Sequence, residues 1–404
     1  MKKNTYYSVT VKKFSILFRH TDWFLKTQEL YNDILKFYYD LYLDIFPETQ
    51  PGSLETMRSL EKLTVTGRDG KPVPYPLPWE KIPLYFRRAA INTAVSAARS
   101  YLSREEQRER TKIFTESVTF YKGMYKNFDE NEISLKIWDG DSWRWIRCRL
   151  RGNRLPETGM MMSPALVLRR NPEDGRILRA ELHIPCKTPV ADGRNVKERM
   201  ASGEKVCSVV FTNKDASLVC CILDSRGNME DCLFLKGGAE YSHRCRMITE
   251  KLEKSQKSSG GGDNPRANGK YWEKLKNLNE NYAHQFSRQV IRYCGENNAK
   301  ILVLPEYEQN HRKIIMLSAG SFTPIYLSTS VRKKLKYKAW QAGIVVLEIQ
   351  QHKTSSVCSV CGGKARIRGS EFFCENGHQG NRYLNSARNL GRKCQQGFER
   401  RESI

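Results

Sequence analysis

The chain has 404 residues, 39% of them hydrophobic, which is enough for two or three domains with separate cores. Its 68 Lys+Arg against 44 Asp+Glu leave a formal charge of +24, and a surplus of that size implies a polyanionic partner whose phosphates release counterions on binding. A membrane is the competing polyanion, and the sequence shows no apolar run of about 18 residues, secretory signal or lipidation motif, so nucleic acid is the expected partner.

Residues 6–17 (YYSVTVKKFSIL) read as a strand. From Thr21 the spacing of apolar residues turns helical through Phe46, with Thr21 or Asp22 as the cap. A Pro-rich stretch, KPVPYPLPWEKIP, interrupts before a second helix, LYFRRAAINTAVSAARSYLS, and the helical block ends near residue 110. Short strands follow to about 200. In WRWIRCRLR, Ile146, Cys148 and Leu150 sort to one face and Trp145, Arg147, Arg149 and Arg151 to the other, as expected of a barrel wall that meets nucleic acid.

From about 203, VCSVVF and SLVCCILD form a hairpin around TNKDA, followed by a helix near 239–255. Residues 255–269 hold a flexible linker, KSSGGGDNPRANG. A long amphipathic helix then leads into the buried strand KILVLPE, the basic helix SVRKKLKYKAWQAGI and the strand VVLEIQ. The fold class is therefore mixed α and β.

Most of the 12 cysteines lie within apolar runs, as Cys220 and Cys221 do, and read as small buried hydrophobes. Cys358 and Cys361 differ: they form a CxxC pair, followed by Cys374 and, on the next knuckle, His378. Three soft thiolates and an imidazole on two tight turns suit tetrahedral zinc. The glycines of CGGK and ENGH favour those turns, and the module, residues 355–380, would present Lys364, Arg366 and Arg368.

These motifs, with Asn381-Arg-Tyr-Leu-Asn-Ser-Ala-Arg-Asn389, LKYKAWQAGI, FYKGMYK, ISLKIWDGDSWRWI and LYFRRAAINTA, resemble the TnpB proteins of transposons and the compact type V CRISPR effectors. The resemblance implies a wedge-type β-barrel at 1–20 and 111–200, with a helical recognition lobe inserted at 21–110. An RNase H-like (RuvC) α/β domain at 203–404 would follow, carrying a zinc-ribbon insertion. It also implies guide RNA and double-stranded target DNA with a short flanking motif as partners, in the prokaryotic cytoplasm at the nucleoid. Homodimerisation and a further protein partner are left open.

Family members hold two divalent ions with an Asp on the first RuvC strand, a Glu after a later strand and an Asp past the zinc module. The Glu position falls on Glu306. The second Asp position falls on Tyr383, two residues before Asn385, and the first on Val210 or, with a two-residue slip, on Thr212. After residue 263 there is no aspartate, and Asp215 and Glu308 do not replace the missing ligands. Magnesium is therefore not expected to support cleavage.

What remains is binding chemistry. Residues 264–404 carry 24 Lys+Arg against 10 Asp+Glu, with clusters at Arg332, Lys333, Lys334, Lys336 and Lys338 and at Arg388, Arg392 and Lys393. Arg87, Arg88, Lys122 and Tyr125 are further candidates for guide or flanking-motif contacts. The leading expectation is a nuclease-inactive, RNA-guided DNA-binding protein acting by occupancy, as in transcriptional repression. The rivals are a rearranged nuclease built on Glu306 and a guided adaptor for a transposition or transcription factor.

Overall fold

A computed structural model describes residues 6–17, 21–46, 54–67, 70–103, 113–152, 154–157, 159–171, 176–212, 216–258, 268–306 and 324–402. The chain divides into two compact units, one of residues 9–188 and one of residues 1–8 with 189–404. Among the described residues no helix is long and apolar enough to cross a membrane.

In the 9–188 unit the strands are β1 (Tyr7–Leu17), β2 (Ser117–Thr119), β3 (Tyr125–Lys126), β4 (Glu132–Trp138), β5 (Trp143–Gly152), β6 (Met160–Met161), β7 (Ala165–Arg170) and β8 (Ile177–Pro189). They form an eight-stranded sheet in the order β2-β7-β8-β1-β5-β4-β3, with β6 paired to β8. Helices α1 (Thr21–Ile45), α2 (Leu54–Thr64) and α3 (Leu84–Leu102) share one hydrophobic core with this sheet. Helix α1 buries Phe24, Tyr31, Ile34, Leu35, Tyr38 and Tyr42 at the three- and four-residue spacing of a helical stripe. Polar anchors fix its height: Thr27 Oγ1 accepts from Trp138 N at 3.0 Å, and Asn32 exchanges hydrogen bonds with both backbone groups of Thr115. Barrel wall and helical block are thus one packed body, and the first unit ends at residue 188 where the sequence reading continued the barrel to 200.

The second unit begins its regular structure with α4 (Val196–Ala201), whose Asn195 and Glu198 form a capping box. Its sheet contains β9 (Lys205–Phe211), β10 (Ala216–Leu223), β11 (Met229–Lys236), β12 (Ala299–Glu306) and β13 (Val345–Gln350), in the order β11-β10-β9-β12-β13. The first three strands are antiparallel neighbours, whereas β12 runs parallel to both β9 and β13. That is the RNase H-like arrangement the resemblance implies. Helices α5 (Gly238–Ser258), α6 (Gly269–Glu296) and α7 (Pro324–Gln341) cover one face, and α8 (Arg382–Glu402) packs on the other. The linker expected at 255–269 is shorter than read, since helix runs to Ser258 and resumes at Gly269. Asp215 and Glu308 lie outside the described residues.

Period-two alternation sorts the sheet between its two layers. Cys207 and Val209 on β9 and Leu302 and Leu304 on β12 join the α5–α7 core. Val206 and Val210, with Ile301 and Val303, join Ala387, Leu390 and Cys394 of α8. Close approach of α8 depends on Gly391, where a Cβ would collide with Leu223.

Candidate functional site

Between β13 and α8 the chain builds a small three-stranded sheet of β14 (Ala365–Arg368), β15 (Glu371–Cys374) and β16 (Gln379–Asn381). Two turns, one before β14 and one between β15 and β16, have Gly362 and Gly377 at positive φ of 76° and 80°. These turns bring together Cys358, Cys361, Cys374 and His378, whose ligand atoms all lie within 4.8 Å of one another. Several N–H groups already point at sulfur: Val360 N donates to Cys358 Sγ and Asn376 N to Cys374 Sγ, both at 3.4 Å. Asn376 Nδ2 donates to Cys361 Sγ at 3.3 Å, and this amide, helped by the Gly363 N–H, lowers the Cys361 thiol to about 6. The buried His378 Nδ1 has no hydrogen-bond partner among the described residues. Anionic sulfur beside an orphaned imidazole nitrogen is a donor set that fits structural zinc. Beside it Lys364, Arg366 and Arg368 are exposed.

Helix α8 holds this knuckle with one face. Asn385 accepts from Ser359 N at 2.7 Å and donates to Val357 O at 2.8 Å. One turn on, Asn389 donates to Thr354 O and Val357 O, and Arg392 reaches Ser359 O and Gly227 O. The helix starts where it does because Asn381 caps it, its Oδ1 accepting from Tyr383 N at 2.9 Å and Leu384 N at 3.1 Å.

The opposite face of α8 carries Tyr383 and packs on Val210 of β9, two positions where the resemblance requires carboxylates. Ser208 Oγ donates to Ala387 O at 2.6 Å, which fixes the height of the helix over β9. Two residues along a strand and four along a helix both advance roughly 6 Å, so Val210 comes level with Tyr383. The two share one apolar cluster with Ala387 and Leu390, Val210 being 4% exposed. Tyr383 accepts a 2.7 Å hydrogen bond from Arg382, whose guanidinium lies 4.5 Å from the ring centroid. Thr212 lies on the same strand face, one pleat beyond Val210, and its buried hydroxyl has no partner among the described residues. Glu306 ends β12 and is exposed. The β9–β12 register pairs Ser208 with Val303; carried two residues on, it sets Pro305, not Glu306, beside Val210.

The cationic candidates divide by what they touch. On β5, Arg149 and Arg151 are exposed, Arg147 donates to Glu132 at 2.6 Å, and Lys126 lies 4.3 Å above the exposed Trp145 ring. Lys122 is exposed, whereas Tyr125 packs against the core. Arg87 and Arg88 both clamp Glu61, at 3.1 and 2.8 Å, tying α3 to α2; in this structure they are packing residues. On α7, Arg332 and Lys336 both pair with Glu348, Lys334 pairs with Glu280 at 2.6 Å, and Lys333 is exposed. Lys338 donates to Ser287 Oγ and His284 O, and burial beside Arg288 and Lys334 lowers its ammonium to about 8. Arg388 is half-buried, with its Nε–H unpartnered among the described residues. Lys393 is tied to Gln350 O. Most of the α7 charge therefore works inside the unit, which the run of cations in the sequence concealed.

The same fold occurs in the Cas12f1 of a Cas12f1-sgRNA-target DNA complex, at a TM-score of 0.57 and 12% identity, over 92% of this chain and 82% of that one. It occurs again in the mini-RNA-guided endonuclease CRISPR-Cas_phi3, at a TM-score of 0.54 and 10% identity, over 96% and 92%. Residues 329–390, the knuckle and its two flanking helices, match the Cas12f1-like, TNB domain family. The fold is thus shared with compact type V effectors, and the Cas12f1-like, TNB domain is the part of the chain that a family of that kind matches. Residues 5–139 also match the Aq_aa04 family, and no curated protein sequence matches the chain. Sequence reasoning gave no role to Arg382, and none to Asn389 beyond its place in the quoted motif. The i, i+4 spacing of Asn381, Asn385 and Asn389 was the available signal for the face of α8 that holds the knuckle.

Proposed function

We propose that this chain is an RNA-guided protein that binds double-stranded DNA and holds it uncut, with zinc bracing the Cys358–His378 knuckle. The reading rests chiefly on Val210 and Tyr383, which fill with apolar packing the two positions where the family's chemistry needs aspartates. A magnesium pair demands several hard oxygen ligands in near-octahedral geometry, and these residues do not fit it. Glu306 alone, one residue past the level of Val210, is a poor nucleus for such a site.

Guide and target are supported by the fold neighbours, one of which is a complex with sgRNA and target DNA, and by the +24 charge. In such systems base pairing carries sequence, while cationic walls hold the backbone. Exposed Arg149, Arg151, Lys333, Lys364, Arg366 and Arg368 are among the side chains that can build those walls. A complex of this size on promoter DNA excludes RNA polymerase, so repression is the output.

The decisive assay incubates the full protein, its copurifying RNA and magnesium with a supercoiled plasmid bearing the matching target. Retarded but uncut plasmid is expected. Linear product would sink the proposal, and its loss in Glu306→Ala would establish the rearranged nuclease instead.

A further inference from the structure

Helix α1 gives one side to the core of the 9–188 unit, but its charge is opposite in sign to that of the whole chain. It holds five Asp/Glu against two Lys, a net −3 in a protein of +24. Asp33, Asp40 and Asp44 of this helix line a groove of about 450 Å³, a volume typical of ligand sites. The Pro-rich segment after α2 contributes Tyr75 and Trp79 to the same groove. Tyr75 is 45% exposed, and Trp79 meets Phe37 of α1 edge-on, with 6.2 Å between ring centroids.

The two sides of the groove are held together. Pro72, Pro74, Pro76 and Pro78 lock φ at every second residue of the segment. Tyr75 N donates to Leu63 O and Leu77 N to Thr64 O, both at 3.0 Å, which ties the segment to the end of α2. The buried Thr64 hydroxyl in turn bonds the Tyr38 hydroxyl of α1 at 2.8 Å. The groove is therefore preformed, and an occupant loses little to ordering the protein.

Charge decides what enters. Lys36 pairs with Asp40 at 2.8 Å, whereas Asp33 forms no ion pair among the described residues. Three carboxylates against one ammonium repel phosphate, so nucleic acid leaves this groove free. Aromatic rings beside carboxylates favour a guanidinium, which stacks on a ring and forks onto a carboxylate; a compact ammonium cannot fork. From Asp33 to Asp44 the helix rises about 16 Å, room for more than one cationic side chain in line.

We propose that this groove docks an arginine-bearing segment of a partner protein. The site lies apart from the cationic walls and does not depend on whether bound DNA is cut. It makes the DNA-bound chain a landing place for a second protein.

The test measures fluorescence anisotropy of a labelled Gly/Ser peptide bearing two arginines, with the full chain and its copurifying RNA. Binding to that RNA alone is measured separately and subtracted. Asp33→Asn should weaken peptide binding about fivefold, and Tyr75→Ala, which removes an exposed ring, about threefold. Lys36→Ala, which releases Asp40 from its ion pair, should tighten it about twofold. A matched lysine peptide should bind about fivefold more weakly. Wild-type-like binding by both Asp33→Asn and Tyr75→Ala overturns the proposal. So does equal binding of the two peptides, or displacement by spermidine at the peptide's own concentration, either of which makes the groove a general cation site. A dimer in light scattering that Asp33→Lys dissociates would assign the groove to a second copy of this chain and overturn it too. Plasmid retardation by Asp33→Asn should match wild type; its loss would put the groove on the nucleic-acid path and sink the docking role.

Discussion

The Cys358–His378 knuckle and the Val210–Tyr383 wall are carried by opposite faces of α8, and they differ in what each keeps of its donor chemistry. On the knuckle face every ligand type needed for tetrahedral zinc is present, and Asn385, Asn389 and Arg392 hold the loop that bears it. On the sheet face the two positions where the resemblance requires aspartates hold Val210 and Tyr383, which share one apolar cluster. The knuckle fastens the helix while the wall only packs, so the second can change its chemistry without loosening the first.

The comparison can be broken most directly at the knuckle. Cys374→Ser should remove bound zinc, measured by elemental analysis of the purified protein, and lower the melting temperature, because structural zinc contributes folding free energy outright. Retention of both would show that the four groups do not act as a metal site. At the wall, Val210→Asp puts a charge into an apolar cluster and should cost about 3 kcal/mol in urea unfolding. An unchanged midpoint would mean that the wall is open to water and that carboxylates were never excluded by packing.

A smaller effect is expected between the two faces. Asn385→Ala leaves Ser359 N unpaired and Val357 O with Asn389 as its remaining donor, and should cost about 2 kcal/mol, with faster zinc release to a chelator. Smallest is a pH effect on the layer behind the sheet. Lys338 titrates at about 8 in the folded chain against an ordinary 10.5, so the unfolded chain binds more protons between those values. Its burial therefore destabilises the fold at low pH, and stability rises with pH from about 8 to 10.5. The difference in melting temperature between wild type and Lys338→Met should follow that window; a flat difference would place the ammonium in solvent.

Strongly patterned segments were legible from sequence. The apolar stripe of α1, the alternation of β5, the β9–β10 hairpin and the run ILVLP each bury a face that composition alone reveals. Others were not, among them α4, which falls where short strands were expected, and three more. Helix α2 is short and precedes the Pro-rich stretch; β11 is an edge strand, MEDCLFLK, with most of its side chains toward solvent; and α8 is so polar that its stripe is hidden among cations. The knuckle ligands could be read from spacing because tetrahedral zinc dictates spacing. The partners of Arg87, Arg88, Arg332 and Lys336 could not, because Glu61 and Glu348 lie far from them in sequence or on another strand.

Gly391, Ser208 and the cluster around Val210 also bear on how such a protein changes over generations. A carboxylate trio beside a closely packed helix carries mutual repulsion that only bound ions relieve, so replacing it with valine and tyrosine trades activity for stability. Once α8 has settled against that surface, restoring one aspartate meets a desolvation cost with no second or third ligand to share an ion. Under the proposed uncut-binding reading each single step back is uphill, and a change from cutting to holding would behave as a ratchet.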